Sequence, residues 1–193
     1  MSQHFPAFII VIPLIAAFFI FTAGWLKRTY CFYIAAVALA ISLFSSFGLL
    51  LQVLQNKVVV YHFGGWSPPW GIAYRVDYLN GIVLVVSAAI AFLNLIATKK
   101  SVEKEFIERA GPFYALYVLF VTGTMGIVVT GDAFNLYVLL EIASLTGYAL
   151  IGMGTEHAAL ASLNYVFMGT IGASFYLLGI GYLYIETGSL NMF

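Results

Sequence analysis

Charge is scarce in this chain: eight Lys or Arg and eight Asp or Glu make up 8% of its 193 residues and cancel to a formal net charge of zero. Without a field of one sign there is no electrostatic footprint for nucleic acid or for acidic substrates. Cysteine is nearly absent as well. Cys31 by itself excludes intrachain disulfides and thiolate-rich zinc or iron–sulfur centres, and its apolar neighbours make packing its default role. The three histidines are scattered without metal-ligand spacing, so His62 and His157 read as surface residues. No phosphate-binding loop, Gly-rich dinucleotide fingerprint or nucleophile elbow occurs, and no cofactor is expected.

What the chain has is hydrocarbon. Apolar and aromatic residues make up 63% of it and Phe, Trp and Tyr alone 17%; ordinary globular chains run at about 45–50% apolar and about 25% charged. A water-soluble domain of this size could not hide that surface, so the fold class is an all-α integral membrane protein, with 1–193 read as a single transmembrane domain. A spanning helix needs about 20 mostly apolar residues. Six blocks qualify: 5–26, 31–54, 78–98, 111–130, 133–153 and 158–185. The first block lacks a basic start, is longer than a signal-peptide core and is followed by Lys27 and Arg28, so it reads as a retained helix that Pro13 kinks. Gly111-Pro112 opens the fourth, where proline's missing N–H does no harm. The sixth is longer than a perpendicular span requires, which implies tilt or an interfacial end.

Between the second and third blocks, 56–77 carries two β-branched or aromatic runs around Gly64-Gly65-Trp66-Ser67-Pro68-Pro69-Trp70-Gly71. This predicts an extramembrane β-hairpin, with Trp66 and Trp70 as interfacial anchors. Orientation follows from the basic residues. With the N-terminus outside, the inner connections hold Lys27, Arg28, Lys99, Lys100, Lys104 and Arg109, and the outer ones only Lys57 and Arg75.

Most charges fall in connections, and Glu141 does not. At 1.5 Å per residue it lies about 13.5 Å beyond Asp132, near mid-membrane. A charge there costs roughly 2.5–3.5 kcal/mol on insertion scales, so it is usually turned inward and paired or hydrated. Hydrocarbon favours a protonated carboxyl and a nearby cation an ionised one, so a carboxyl between these influences can take up and release a proton. Tyr137, Ser144 and Tyr148 stand at minus four, plus three and plus seven from Glu141 and form a polar stripe with it. Asn80, Ser87 and Asn94 form a second stripe on the third block. Such stripes hold a water chain or hydrogen-bond neighbouring helices. Asp132, just ahead of a helix, is a cap by default, with an ion-admitting or partner role as the alternative. Gly169, Gly172 and Ala173 permit close helix contact.

The stretch from Gly131-Asp132 through Phe134-Asn135-Leu136-Tyr137 to Leu140-Glu141 resembles the antiporter-like membrane subunits shared by Mrp-type sodium/proton antiporters, complex I and membrane-bound hydrogenases, with the D-type subunit of the Mrp branch the best likeness. Gly64-Gly65-Trp66, Pro68, Pro69, Gly71-Ile72 and Val76-Asp77 are similar to that family's hairpin, and Gly169 through Tyr184 with Thr187-Gly188-Ser189-Leu190-Asn191-Met192 to its sixth helix and following loop. The resemblance implies a transporter subunit rather than an enzyme, placed in the cell's inner membrane among other membrane subunits and moving protons and, in the Mrp branch, sodium. It implies proton transfer in which a fifth-helix Glu, here Glu141, pairs with a Lys on a seventh helix. Family members have about fourteen helices, so this chain matches an N-terminal portion, as expected of a split, shortened or truncated protein. Asn164 stands where many relatives carry Lys or Arg near the start of the sixth helix. Alternative readings are a structural subunit that seals a complex without conducting, and a membrane subunit of a redox-driven pump.

Overall fold

A computed structural model describes residues 4–193. Six helices of spanning length carry the chain: α1 (Phe5–Leu26), α2 (Arg28–Asn56), α3 (Tyr78–Glu105), α4 (Ala110–Val129), α5 (Ala133–Gly152) and α6 (Ala158–Thr187). Each is apolar enough along its length to cross a bilayer, as expected of a multi-pass membrane protein. A two-stranded antiparallel hairpin, β1 (Val59–His62) and β2 (Ala73–Val76), separates α2 from α3 in the register Val59 to Val76 and Tyr61 to Tyr74. Six helices and this hairpin are the architecture that the hydropathy blocks and the Gly/Pro turn predict.

The bounds differ from expectation where polarity, rather than helicity, changes. α3 continues to Glu105, past the drop in hydropathy at Lys99 and Lys100, because Lys, Ser and Glu support a helix once it leaves hydrocarbon. α2 starts at Arg28, leaving Lys27 as one extended residue (φ −151°, ψ 117°) between two helices. α1 remains one helix past Pro13. Asp77 and Asp132 cap α3 and α5, accepting from the backbone N–H of Asn80 (3.0 Å) and Asn135 (2.7 Å).

α4 lies at the centre, packed against α1, α2, α3 and α5, whereas α6 packs principally along α5. The core is built on α4: Tyr114, Val118, Met125 and Val129 are fully buried there, against Ile20 of α1, Leu39 and Leu49 of α2 and Leu84 and Leu95 of α3. Close approach of α5 is set by Gly123 and Gly126, where an added Cβ would meet the backbone of Ala143 and the side chain of Leu139. The α3 stripe fastens helices. Asn80 Nδ2 donates to Val128 O (2.9 Å) of α4, and Asn94 Nδ2 donates to the Tyr117 hydroxyl (3.2 Å), which itself donates to Ala91 O (2.8 Å). Ser87 is half-buried between them.

The two ends of the bundle differ. At one, Arg28 donates to Ile107 O (2.7 Å) and the Lys99 ammonium sits over the Phe32 ring, 4.3 Å from its centroid. At the other, the hairpin, the α4–α5 turn and the chain's last residues join edge to edge: Tyr74 bridges Thr130, Gly131 N–H donates to Ala73 O (2.9 Å), Ala133 N–H to Leu190 O (2.8 Å) and Met192 N–H to Gly131 O (3.0 Å). The Arg75 guanidinium covers the Phe193 ring at 4.3 Å.

Candidate functional site

α5 is the element to which the candidate residues belong, and its faces are assigned by what they touch. Leu139, Ala143 and Thr146 are buried, with Leu139 and Ala143 against α4. The opposite face meets α6. The Tyr137 and Tyr176 rings stack nearly parallel (centroids 6.3 Å, 7°), the Tyr148 and Tyr165 rings meet edge to face at 4.6 Å, and Ser162 Oγ donates to Tyr148 O (2.7 Å). At about 100° per residue, Tyr137, Glu141, Ser144 and Tyr148 fall within roughly 60° of one another. Glu141 and Ser144 therefore share the α6-facing side with the two tyrosines. Ser144 lines a cleft of about 430 Å³ with Phe120 of α4, Gly147 and Tyr165.

Opposite this stripe α6 presents Tyr165, Gly169, Gly172 and Tyr176 at a helical spacing of four, three and four. Because the helices run antiparallel, with Tyr137 beside Tyr176 and Tyr148 beside Tyr165, the level of Glu141 corresponds to Gly172. A Cβ at Gly169 would strike the Tyr148 hydroxyl, whereas one at Gly172 would meet nothing within 4 Å. Glu141 is half-buried, and among the described residues it makes no hydrogen bond or ion pair. All eight Lys and Arg lie outside α5 and α6. The arrangement is a carboxyl at mid-helix depth, held between two tyrosine pairs with open space across from it. It cannot complete a carboxylate–lysine pair from its own helix or from α6, since neither carries Lys or Arg.

The other sequence-derived candidates lie elsewhere. Asp132 sits two and a half turns away as the α5 cap, bonded into the strand-like join with Asn191. Beside it Asn135 Nδ2 donates to Thr130 Oγ1 (2.8 Å), and burial pushes the Tyr74 phenol above its ordinary value near 10, partly opposed by a hydrogen bond with Asn135. Asn164 is exposed on α6 and one position away from Tyr165, so it points about 100° off the α5-facing side and is not brought to Glu141. Sequence reasoning missed Tyr165 and Tyr176. Their eleven-residue spacing through Gly169 and Gly172 is the signal that marks them as one face. Among the described residues no group of three or more His, Cys, Asp or Glu could hold a metal ion.

No family model matches the sequence. Relatives do. The chain is 38% identical over its whole length to NADH-quinone oxidoreductase subunit N of Desulforudis audaxviator, and 32% identical over 98% of its length to the D-type subunit of the Na(+)/H(+) antiporter of Bacillus subtilis, covering 38% of each. The chain is homologous to the N-terminal part of the antiporter-like membrane subunits. Among solved structures, one chain of the archaeal membrane-bound sulfane sulfur reductase superposes with a TM-score of 0.89 at 31% identity, over 97% of this chain and 38% of that one. The Mrp complex of Dietzia contains the same fold, at TM-score 0.79 and 21% identity, over 98% of this chain and 35% of that one. This antiporter-like chain thus spans well under half the length of the relatives it matches. Those neighbours are chains of multisubunit membrane complexes.

Proposed function

We propose that the chain is a membrane subunit of an Mrp-like cation/proton antiporter and contributes a proton path through Glu141. The observation that carries this reading is the placement of Glu141: at mid-span on the α6-facing side of α5, half-buried, without a protein partner among the described residues and opposite the open space at Gly172. An isolated charge at that depth is too costly to keep for packing alone. A cation approaching Glu141 favours its ionised form and withdrawal of the cation favours proton capture, which couples two ions through one carboxyl. Tyr137, Ser144 and Tyr148 support its hydration, and a basic partner comes from outside α5 and α6. Residues 1–193 act as one transmembrane unit in the cell's inner membrane. Its N-terminus is external, because Lys27, Arg28, Lys99, Lys100, Lys104 and Arg109 gather at one end and only Lys57 and Arg75 at the other.

The test is Glu141→Gln, assayed as cation-dependent proton flux in vesicles alongside the abundance of the assembled complex. Flux is expected to fall to background with the complex still present. Undiminished flux removes Glu141 from the path, and loss of the complex without loss of flux per complex makes the chain a scaffold. A redox-driven pump is the second reading, favoured by relatives named for a quinone oxidoreductase and a sulfane sulfur reductase. Its redox centres would reside in copurifying subunits.

A further inference from the structure

On the side of the bundle away from α5 and α6, α1 and α2 enclose a groove of about 710 Å³, inside the roughly 300–1,000 Å³ range of ligand sites. Its walls are Ile15, Ala16 and Phe19 of α1 and Tyr33, Val37 and Ile41 of α2. Ile15, Phe19, Tyr33 and Val37 are 47–61% exposed, so these side chains flank an open trough rather than a sealed core. Its length is informative. The lining runs along α1 from Ile12 to Ala23, roughly 16 Å at 1.5 Å per residue, which is about half of a 30 Å hydrocarbon core. The groove therefore occupies one leaflet, and the leaflet it occupies is the one at the basic end.

That end carries the complementary charge. Lys27 is exposed at the α1–α2 corner, four residues beyond the lining residue Ala23. Tyr33, itself a wall of the groove, has the Lys99 ammonium 5.1 Å from its ring centroid. The acidic residues of this end, Glu103, Glu105, Glu108 and Glu156, come at the far end of α3 and in the connections beyond it. A leaflet-deep apolar trough with an exposed Lys27 four residues beyond its lining and the Lys99 ammonium over the ring of its wall residue Tyr33 matches one class of molecule, an acyl chain attached to an anionic headgroup.

We propose that the α1–α2 groove is a binding site for an anionic phospholipid, with one acyl chain along Ile15, Phe19, Val37 and Ile41 and the headgroup phosphate between Lys27 and Lys99. The experiment extracts the protein with its native subunits in mild detergent, exchanges it into vesicles of phosphatidylcholine with a minor fraction of phosphatidylglycerol, and measures retained lipid by native mass spectrometry. Phosphatidylglycerol is expected to be retained in preference to phosphatidylcholine. Lys27→Gln and Lys99→Gln should each weaken retention roughly fivefold. Val37→Trp, at an exposed position where folding is not at stake, should block the chain. Lys57→Gln, at the opposite end of the bundle, should leave retention unchanged. Retention indifferent to Lys27, Lys99 and Val37, equal retention of the zwitterionic lipid, or a crosslink from Val37 to another membrane subunit in place of lipid would overturn the assignment.

Discussion

α4 and α6 are both apolar, both rich in Gly and Ala, and both long enough to span, yet half of the most apolar stretch of α4 is buried inside the bundle and only 6% of that of α6. The glycines show the difference at atomic scale. Gly123 of α4 faces the Ala143 backbone so closely that an added Cβ would lie 2.7 Å from its nitrogen, whereas Gly172, Gly179 and Gly181 of α6 have nothing within 4 Å. Small residues on α4 are already used for helix contact, and those on α6 mostly are not. The polar stripe of Glu141 sits between these two regimes, walled on one side by the finished core and on the other by a helix that leaves space. A carboxyl in a span is least costly at such a boundary, since a fully packed site would exclude water and a lipid-facing one would leave the charge unsolvated.

Four substitutions break or sharpen the contrast. Gly123→Val puts methyl groups against backbone that cannot rotate aside, and should destabilise the bundle by about 1–3 kcal/mol, read as a lower thermal midpoint of helical signal in detergent. Asp132→Ala removes the cap at the start of α5, which joins the two regions, and should cost about 1 kcal/mol in the same assay. Tyr74 supplies a pH-dependent prediction outside the spans. Its phenol is raised by burial, so the folded state holds the proton more tightly, and its contribution is fully present below pH 10 and declines as pH rises above it. Tyr74→Phe should flatten that alkaline loss of stability, measured as midpoint against pH. Gly179→Ala on α6 should be neutral or stabilise by at most about 0.5–1 kcal/mol, because the methyl enters open space and the helix loses a glycine. If Gly179→Ala instead disrupts the assembled complex, that face of α6 is covered by a partner.

The legible parts of the sequence were those governed by one-dimensional periodicity. α1 was placed at its observed bounds, and α4, α5 and α6 within two residues of theirs, because the hydrocarbon thickness imposes a length that hydropathy counts directly. The hairpin was readable because its turn residues are confined to few backbone conformations. The stripe of Tyr137, Glu141, Ser144 and Tyr148 was legible from helical spacing. Its neighbours were not. Nothing in the hydropathy of α6 says that Tyr165 and Tyr176 bracket Glu141 or that Asn164 turns away, and nothing in the α3 stripe says that Asn80 and Asn94 bond to α4.

Composition and periodicity alone determined that the chain crosses a membrane six times, where it turns, and that one carboxyl lies deep in a span, because each follows from the cost of moving a residue out of water. Only the tertiary structure decided that α4 is the centre, that Tyr137 and Tyr148, either side of Glu141 in sequence, pack on Tyr176 and Tyr165 of α6, and that α1 and α2 leave a trough at the basic end. In hydrocarbon every apolar face is equally soluble, so hydropathy cannot choose neighbours; the choice is made by shape, where glycine meets backbone and amide meets carbonyl.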